Sequence, residues 1–130
     1  MKIENIKFKA KRLDNGQWVS GDLAHSLDGK LNILGSVGEE GRMAFSEAYQ
    51  IAPDTVCQFT GLKDCDGNEI YEGDILEGDS KYEIVYTKGT FATFCIGCDE
   101  REYSYPLCYF VREDGTVDGK VVGNKFDKEK

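Results

Sequence analysis

The segment TVCQFTGLKDCDGNEIYEGDIL, residues 55–76, decides the fold class, because it places two tight-turn dipeptides between short apolar runs. Asp66-Gly67 and Glu72-Gly73 each pair a carboxylate with a glycine, and glycine reaches positive φ without steric cost. Short runs bounded by such turns are typical of β-strands. The segment therefore predicts strand, turn, strand, turn, strand, with its carboxylates exposed at the turns.

The same pattern continues along the chain, which contains 15 glycines and only 2 prolines. Alternating apolar and polar residues from Asn5 to Leu13 predict a first strand, and residues 120–126 predict a last one. Residues 36–50 are the exception, since they lack a clear period and predict a loop with at most a short helix. The fold class predicted is mainly β, of short strands and tight turns. Further turns are predicted at Asn15-Gly16, Asp28-Gly29, Lys88-Gly89, Asp114-Gly115 and Asp118-Gly119.

The length of 130 residues corresponds to one domain or two small lobes. Hydrophobic residues make up 40% and charged residues 31%, which is typical of a globular chain. Pro53 opens a new run of strands. We therefore expect an N-terminal β-rich lobe over residues 1–52, a C-terminal β lobe over residues 53–126, and a frayed tail over residues 127–130.

The compartment is predicted from three features: no secretory signal pattern, no long apolar run, and the number of cysteines. The N-terminal sequence MKIENIKFKAKRL has no continuous apolar region of the kind found in secretory signals. No apolar run approaches 18 residues, so we expect no membrane span. Five cysteines without an export signal favour free thiols in a reducing compartment. The sequence therefore predicts a cytoplasmic protein.

The formal net charge of -8 disfavours a protein that binds phosphate backbones by bulk attraction. The distribution is uneven. Five of the first twelve residues are basic, against Glu4 alone, whereas residues 54–79 hold eight carboxylates and one base, Lys63. Solvated faces explain most such clusters. The basic strand from Lys7 to Arg12, with nearby Trp18, leaves nucleic-acid binding as an alternative function.

The acidic turns raise a second alternative, a metal-dependent enzyme. A calcium-binding EF-hand loop with its glycine at Gly67 would need acids at the positions of Leu62 and Gly73, so that template fails at both ends. Nothing in the spacing forces the remaining carboxylates to converge. The residues that would carry this alternative are Asp64, Asp66, Glu72 and Asp74.

Cys95 and Cys98 form the pattern C-x-x-C, which supplies two ligands of a tetrahedral zinc site. A complete site needs two more, and no second C-x-x-C pair is present. We therefore favour two small buried or half-buried thiols over zinc and predict no cofactor. His25 is the only histidine, which leaves Ser- or Cys-dependent catalysis without a second candidate base. We expect no enzymatic activity.

Three segments carry a family resemblance: IKFKAKRLDNGQWVSGDLAH (6–25), IAPDTVCQFTGLKDCDGNEIYEGDIL (51–76) and VVGNKFD (121–127). Together they resemble the YopX family, small proteins typical of bacteriophages and integrated prophages. Cys57 stands where that family commonly has glycine, and Cys65 where a polar residue is usual. The resemblance implies a mostly β protein with an SH3-like barrel in its second half. It implies no established enzymatic activity or agreed partner.

Function is expected to rest on binding. Acidic turns and tyrosines suit contact with another protein, and the resemblance implies a phage or prophage accessory factor whose partner is a host or phage protein. Exposed strand edges leave self-association open. Aromatic residues cluster in the second half of the chain, where they could stack single-stranded bases or form a protein-binding patch, although we expect most to be core. They are Tyr82, Tyr86, Phe91, Phe94, Tyr103, Tyr105, Tyr109 and Phe110. The candidate interaction residues are Trp18, Tyr71, Glu72 and Asp74.

Overall fold

The computed structural model describes residues 5–37, 45–78, 80–87, 89–96 and 104–127. Strands dominate these residues, and two short 3₁₀ helices, Pro53–Thr55 and Leu107–Phe110, interrupt them. The prediction of a mainly β protein is confirmed. The strands are β1 (Phe8–Lys11), β2 (Trp18–His25), β3 (Leu31–Val37), β4 (Phe45–Gln50), β5 (Cys57–Asp64), β6 (Glu69–Tyr71), β7 (Asp74–Glu77), β8 (Lys81–Thr87), β9 (Thr90–Cys95), β10 (Ser104–Pro106), β11 (Thr116–Val117) and β12 (Lys120–Asn124).

The chain divides into two compact units, residues 1–58 and 59–130, within β5. In the first unit β1 lies between β2 and the start of β5, and β2, β3 and β4 follow in antiparallel order. The predicted lobes, residues 1–52 and 53–126, and the predicted tail stay predictions. Ala10, Ile33 and Ile51 form the buried core of the first unit.

The hairpin turns of the first unit form where the sequence predicts them. Between β1 and β2, the N–H of Gly16 donates to the carbonyl of Arg12 at 2.9 Å, and the Asn15 side chain accepts from the N–H of Gln17 at 2.9 Å. Asp28 accepts in the same way from the N–H of Lys30 at 3.1 Å, between β2 and β3. Asparagine and aspartate stabilise these reversals through their side-chain oxygens.

The prediction of a loop over residues 36–50 is wrong for the part that the structure describes. β3 continues to Val37, and β4 pairs with it in antiparallel register from Val37↔Phe45 to Asn32↔Gln50. A cross-strand partner decides whether a weakly patterned segment becomes a strand, and local composition does not reveal that partner. Residues 38–44 lie outside the described residues.

In the second unit, five strands pair in the order β10-β9-β8-β7-β12, each antiparallel to its neighbour. β6 pairs antiparallel and β11 parallel with β5. The predicted hairpin of β8 and β9 is confirmed. No pairing among the described strands joins β10 to β12, so the SH3-like barrel stays a prediction. The buried core consists of Ile70, Leu76, Ile84, Leu107 and Val117.

A search of the described residues for a helix that is long and apolar enough to cross a membrane finds none.

Candidate interaction surface

The carboxylate of Asp64 is fully buried at the end of β5. Its Oδ1 accepts from the N–H groups of Asp66 (2.9 Å) and Asn68 (2.8 Å), which shapes the predicted turn. Its Oδ2 accepts from the Asn68 amide (3.2 Å) and from the N–H of Val121 in β12 (2.9 Å). One side chain thus forms a turn and attaches a strand of the same unit to it.

Two opposing effects set the pKa of Asp64. Burial alone would raise the pKa, because it removes water from the charged form. Hydrogen bonds from Val121, Asn68 and Asp66 favour the charged form, and together they hold the pKa below the ordinary value of 3.8. The carboxylate is therefore ionised at neutral pH, and the four donors stabilise its charge.

Asp74, at the start of β7, is only 1% exposed. Its Oδ2 accepts from the N–H of Tyr71 at 2.7 Å, and its Oδ1 accepts from the side-chain amide of Asn124 at 2.8 Å. The Oδ1 of Asn124 in turn accepts from the N–H of Phe126 at 3.0 Å. The turn at Glu72-Gly73 is therefore joined to the end of β12, and the turn at Asp66-Gly67 is joined to its beginning.

These contacts correct one expectation. The sequence predicts exposed carboxylates at both turns, and that is wrong for Asp64 and Asp74, because each is buried and accepts hydrogen bonds from backbone and side-chain N–H groups. Asp66 is exposed, and Lys120 lies 3.6 Å from it. Among the described residues, no group of three or more histidine, cysteine, aspartate or glutamate side chains is arranged to hold a metal ion.

The cysteines differ in state. Cys57, Cys65 and Cys108 are thiols outside any disulfide, whereas Cys95 takes part in a disulfide. The expectation of free thiols is therefore wrong for Cys95, and its sulfur in this form is not a thiolate ligand for zinc. Cys98, the other candidate ligand, lies outside the described residues.

The basic strand β1 carries lysines on the sheet face opposite the core. Ala10 between them is buried, and side chains alternate along a strand. The Lys9 ammonium lies 4.7 Å and the Lys11 ammonium 5.5 Å from the centre of the half-buried Trp18 ring. Both contacts are within the range of cation–π attraction. Lysine side chains thus already contact the ring that would otherwise stack on a base.

An open groove of about 500 Å³ lies elsewhere in the first unit, between the turn after β1 and β4. The Arg12 guanidinium lies over the Tyr49 ring at 4.4 Å and donates two hydrogen bonds to Asp14, at 2.9 and 2.6 Å. The hydrogen bonds from Arg12 hold the pKa of Asp14 below its usual value. Because Asp14 compensates the charge of Arg12, the groove offers little net attraction to an anion.

Three of the four candidate interaction residues lie in the second unit, and two of them, Tyr71 and Asp74, are buried. Tyr71 is 5% exposed, lies 5.3 Å from the Phe59 ring and donates from its hydroxyl to Glu69 at 3.0 Å. Burial, followed by the nearby carboxylate, raises the pKa of Tyr71 above its ordinary value. Asp74 is buried as described, and Glu72 is half-buried. Their role in interaction stays a prediction, as does that of Trp18.

Three of the aromatic residues that cluster in the second half of the sequence form an exposed group in the described part of the second unit. Tyr105 and Tyr109 stack with ring centres 5.5 Å apart and planes 23° apart. They are 48% and 71% exposed. Phe110 presents an edge-to-face contact to each, at 6.4 and 5.5 Å. We call Tyr105, Tyr109 and Phe110 the tyrosine surface.

The local sequence explains how this surface is held. β10 pairs with β9 through Tyr105↔Thr93, and the Thr93 hydroxyl donates to the carbonyl of Tyr105 at 3.2 Å. Pro106 then fixes φ at -56° and leads into the 3₁₀ helix Leu107–Phe110. Leu107 is 2% exposed and anchors this helix in the core. The sequence shows Tyr105 and Tyr109 on either side of a proline and a leucine, but it does not show which of these residues is buried.

Comparison with known protein families identifies a match over most of the chain. The family model described as YopX protein matches residues 7–128, which is nearly the whole chain. No curated protein matches the chain.

Proposed function

The chain belongs to the YopX family, and we propose that it acts as a phage or prophage accessory protein that binds another protein rather than catalysing a reaction. One observation carries the proposal: Tyr105 in β10 and Tyr109 on the short helix that follows form a stacked, exposed pair, and Leu107 of that helix is buried. Tyrosine is enriched at protein interfaces because it combines a large apolar ring with a polar hydroxyl.

The way in which the pair is held supports a role in binding. A partner loses affinity when it must order flexible side chains, so rings that are already packed together make a better contact. Tyr109 packs on Tyr105 and on Phe110, and Phe110 packs against Tyr82 at 5.7 Å and against the core cluster. The tyrosine surface is therefore ordered before a partner arrives.

The metal-dependent enzyme is a weaker proposal on physical grounds. A cation would compete with the hydrogen bonds that Asp64 accepts from Asn68 and Val121 and with those that Asp74 accepts from Tyr71 and Asn124. A buried donor that loses its acceptor costs roughly 1–3 kcal/mol. Because these carboxylates stabilise the fold through hydrogen bonds, metal binding by them would destabilise it.

Nucleic-acid binding is the second candidate, and the lysines on the outer face of β1 favour it. Lys9 and Lys11 lie two residues apart around the Trp18 ring, a spacing at which both ammonium groups could reach phosphates of one strand. Against it stands the formal charge of -8 of the whole chain. We therefore rank it below protein binding.

The experiment is affinity capture of the tagged chain from a bacterial lysate, with and without nuclease, followed by mass spectrometry and a check for bound nucleic acid. Three baits are compared: the wild type, a Y105A/Y109A variant, and Y86A as a matched control. Tyr86 is also exposed, at 52%, but it packs on Phe91 at the turn end of β8. We expect one stoichiometric protein to be retained by the wild type and by Y86A and lost with Y105A/Y109A.

Two results would overturn the proposal. One is a set of proteins that does not differ among the three baits, since the tyrosine surface would then not be the contact. The other is recovery of nucleic acid as the only bound material when nuclease is omitted, which would favour the basic strand.

A further inference from the structure

The acidic residues of the chain are concentrated in the second unit. Residues 59–130 contain 16 of the 24 acidic residues and 9 of the 16 basic ones, a formal charge of -7. Residues 1–58 contain the remaining 8 acidic and 7 basic residues, a formal charge of -1. The tyrosine surface belongs to the second unit. A partner that docks there therefore approaches the acidic part of the chain.

Carboxylates also lie close to the tyrosine surface along the chain. The N–H of Asp118 donates to the carbonyl of Phe110 at 3.0 Å, and Asp118 is exposed. Glu113 and Asp114 are exposed in the turn that follows the 3₁₀ helix. Arg112, in the same segment, donates to the Thr116 hydroxyl at 3.1 Å and lies 4.0 Å from Asp114. Its positive charge is thus offset locally.

The rings themselves select among cations. A tyrosine face is electron-rich and attracts a cation within about 6 Å of its centre. The guanidinium of arginine is planar and weakly hydrated, so it stacks on an aromatic face better than the compact ammonium of lysine does. Because Phe110 meets both tyrosines nearly edge-on, at 89° and 84°, it supports the pair without stacking on it.

We propose that the tyrosine surface binds a basic, arginine-bearing peptide segment, whose guanidinium groups stack on Tyr105 and Tyr109 while the carboxylates of the second unit supply long-range attraction. This rests on the proposed function, since it names the chemistry of the partner. A second copy of the chain is the competing occupant. Two copies with a formal charge of -8 each repel one another, so charge favours the basic segment.

The test measures binding of short fluorescein-labelled peptides to the full chain by fluorescence anisotropy. One peptide alternates glycine with arginine, a second replaces arginine by lysine at equal charge, and a third replaces it by glutamine. We expect the arginine peptide to bind most tightly, the lysine peptide more weakly, and the glutamine peptide not to bind. Affinity for the arginine peptide falls as salt rises, because charge steers and stabilises the complex.

Variants locate the contact. Y105A and Y109A should each weaken binding of the arginine peptide by about two- to fivefold, the range that follows from the usual strength of an exposed cation–π contact. Y109F keeps the ring and should bind like the wild type. D118N should weaken binding modestly. Y86A is the matched control. Tyr82 contacts Phe110 of the tyrosine surface, and Tyr86 lies four residues farther along β8, about 13 Å from Tyr82. We expect Y86A to leave binding unchanged.

Three outcomes would overturn the inference: no binding of the arginine peptide, equal binding of arginine and lysine peptides that is insensitive to both tyrosine substitutions, or a concentration-dependent dimer that Y105A/Y109A abolishes. Circular dichroism and the thermal midpoint of each variant show whether it is folded, and Y109F provides a variant that keeps the packing. If lysate capture still depends on the tyrosines while the arginine peptide fails, protein binding stands and only the proposed chemistry of the partner is wrong.

Discussion

The carboxylate of Asp64 accepts a hydrogen bond from the backbone N–H of Val121, 57 residues later in the chain, at 2.9 Å. The turn at Asp66-Gly67 therefore does more than reverse the chain direction. Asp64 joins the turn, through Asn68, to a strand at the other end of the second unit. Burial of an ionised group is tolerated here because both carboxylate oxygens accept hydrogen bonds from N–H groups.

Substitution of Asp64 should destabilise the second unit. In D64N, one oxygen can still accept from Asp66 and Asn68, but the new amide would face the N–H of Val121 and the Asn68 amide, which are also donors. We expect a loss of about 2 kcal/mol or more in the free energy of unfolding, since hydrogen bonds to charged groups contribute roughly 1.5–3 kcal/mol. Urea unfolding followed by circular dichroism measures it.

The control for that variant is D66N. Asp66 is exposed, and its contact with Lys120 is a surface ion pair at 3.6 Å, worth at most about 1 kcal/mol. We expect the free energy of unfolding of D66N to be close to that of the wild type. Equal stability of D64N and the wild type would show that the buried carboxylate does not hold the turn.

Stability should fall in acid because of the same carboxylate. The pKa of Asp64 is lowered in the folded protein, so the unfolded chain takes up a proton first as pH decreases. The stabilisation is complete above the unfolded pKa, near 3.9, and is lost as pH falls through the lower folded value. The acid limb of the unfolding free energy, measured by urea titrations between neutral pH and acid, should be shallower for D64N than for the wild type. Identical slopes would contradict this assignment.

Gly67 and Gly73, the glycines of the two turns in residues 55–76, should differ in how well they tolerate a side chain. Both have φ of +87°, which costs an alanine roughly 1–2 kcal/mol. A Cβ at Gly67 meets nothing within 4 Å, whereas one at Gly73 would lie 3.2 Å from the side-chain amide of Asn124. We therefore expect G73A to lower the thermal midpoint more than G67A does. An equal loss would mean that the contact between the second turn and Asn124 is loose.

The basic strand gives a prediction about nucleic acid. Trp18 is the only tryptophan, so its fluorescence reports directly on the ring beside Lys9 and Lys11. Under our account, a single-stranded oligonucleotide at physiological salt leaves this fluorescence unchanged. Quenching that weakens steeply with salt and disappears in K9Q/K11Q would instead support the nucleic-acid alternative, because counterion release requires such a salt dependence.

The sequence predicts the parts of the fold that depend on local geometry. Glycine next to asparagine or aspartate marks the reversals at Gly16, Gly29, Gly67 and Gly115, and alternation marks β1. These features follow from backbone freedom and from side-chain period, which any short segment reveals.

The features that it misses depend on distant partners. β4 is a strand because β3 pairs with it, and the composition of residues 45–50 does not show this. Asp64 and Asp74 read as exposed turn acids, because their donors at Val121 and Asn124 are more than forty residues away. The tyrosine surface depends on Leu107 being the buried member of a tyrosine-rich run, which only the packed structure reveals.

The free thiol of Cys108 lies within the 3₁₀ helix, next to Tyr109, and is exposed. Its rate of alkylation by N-ethylmaleimide, measured by mass spectrometry with and without a saturating amount of the captured partner, is the most direct test of binding at the tyrosine surface. Buried Cys57 and half-buried Cys65 serve as internal controls. We predict that the partner slows modification of Cys108 and leaves Cys57 and Cys65 unaffected. An unchanged rate at Cys108 with the partner bound would contradict the account.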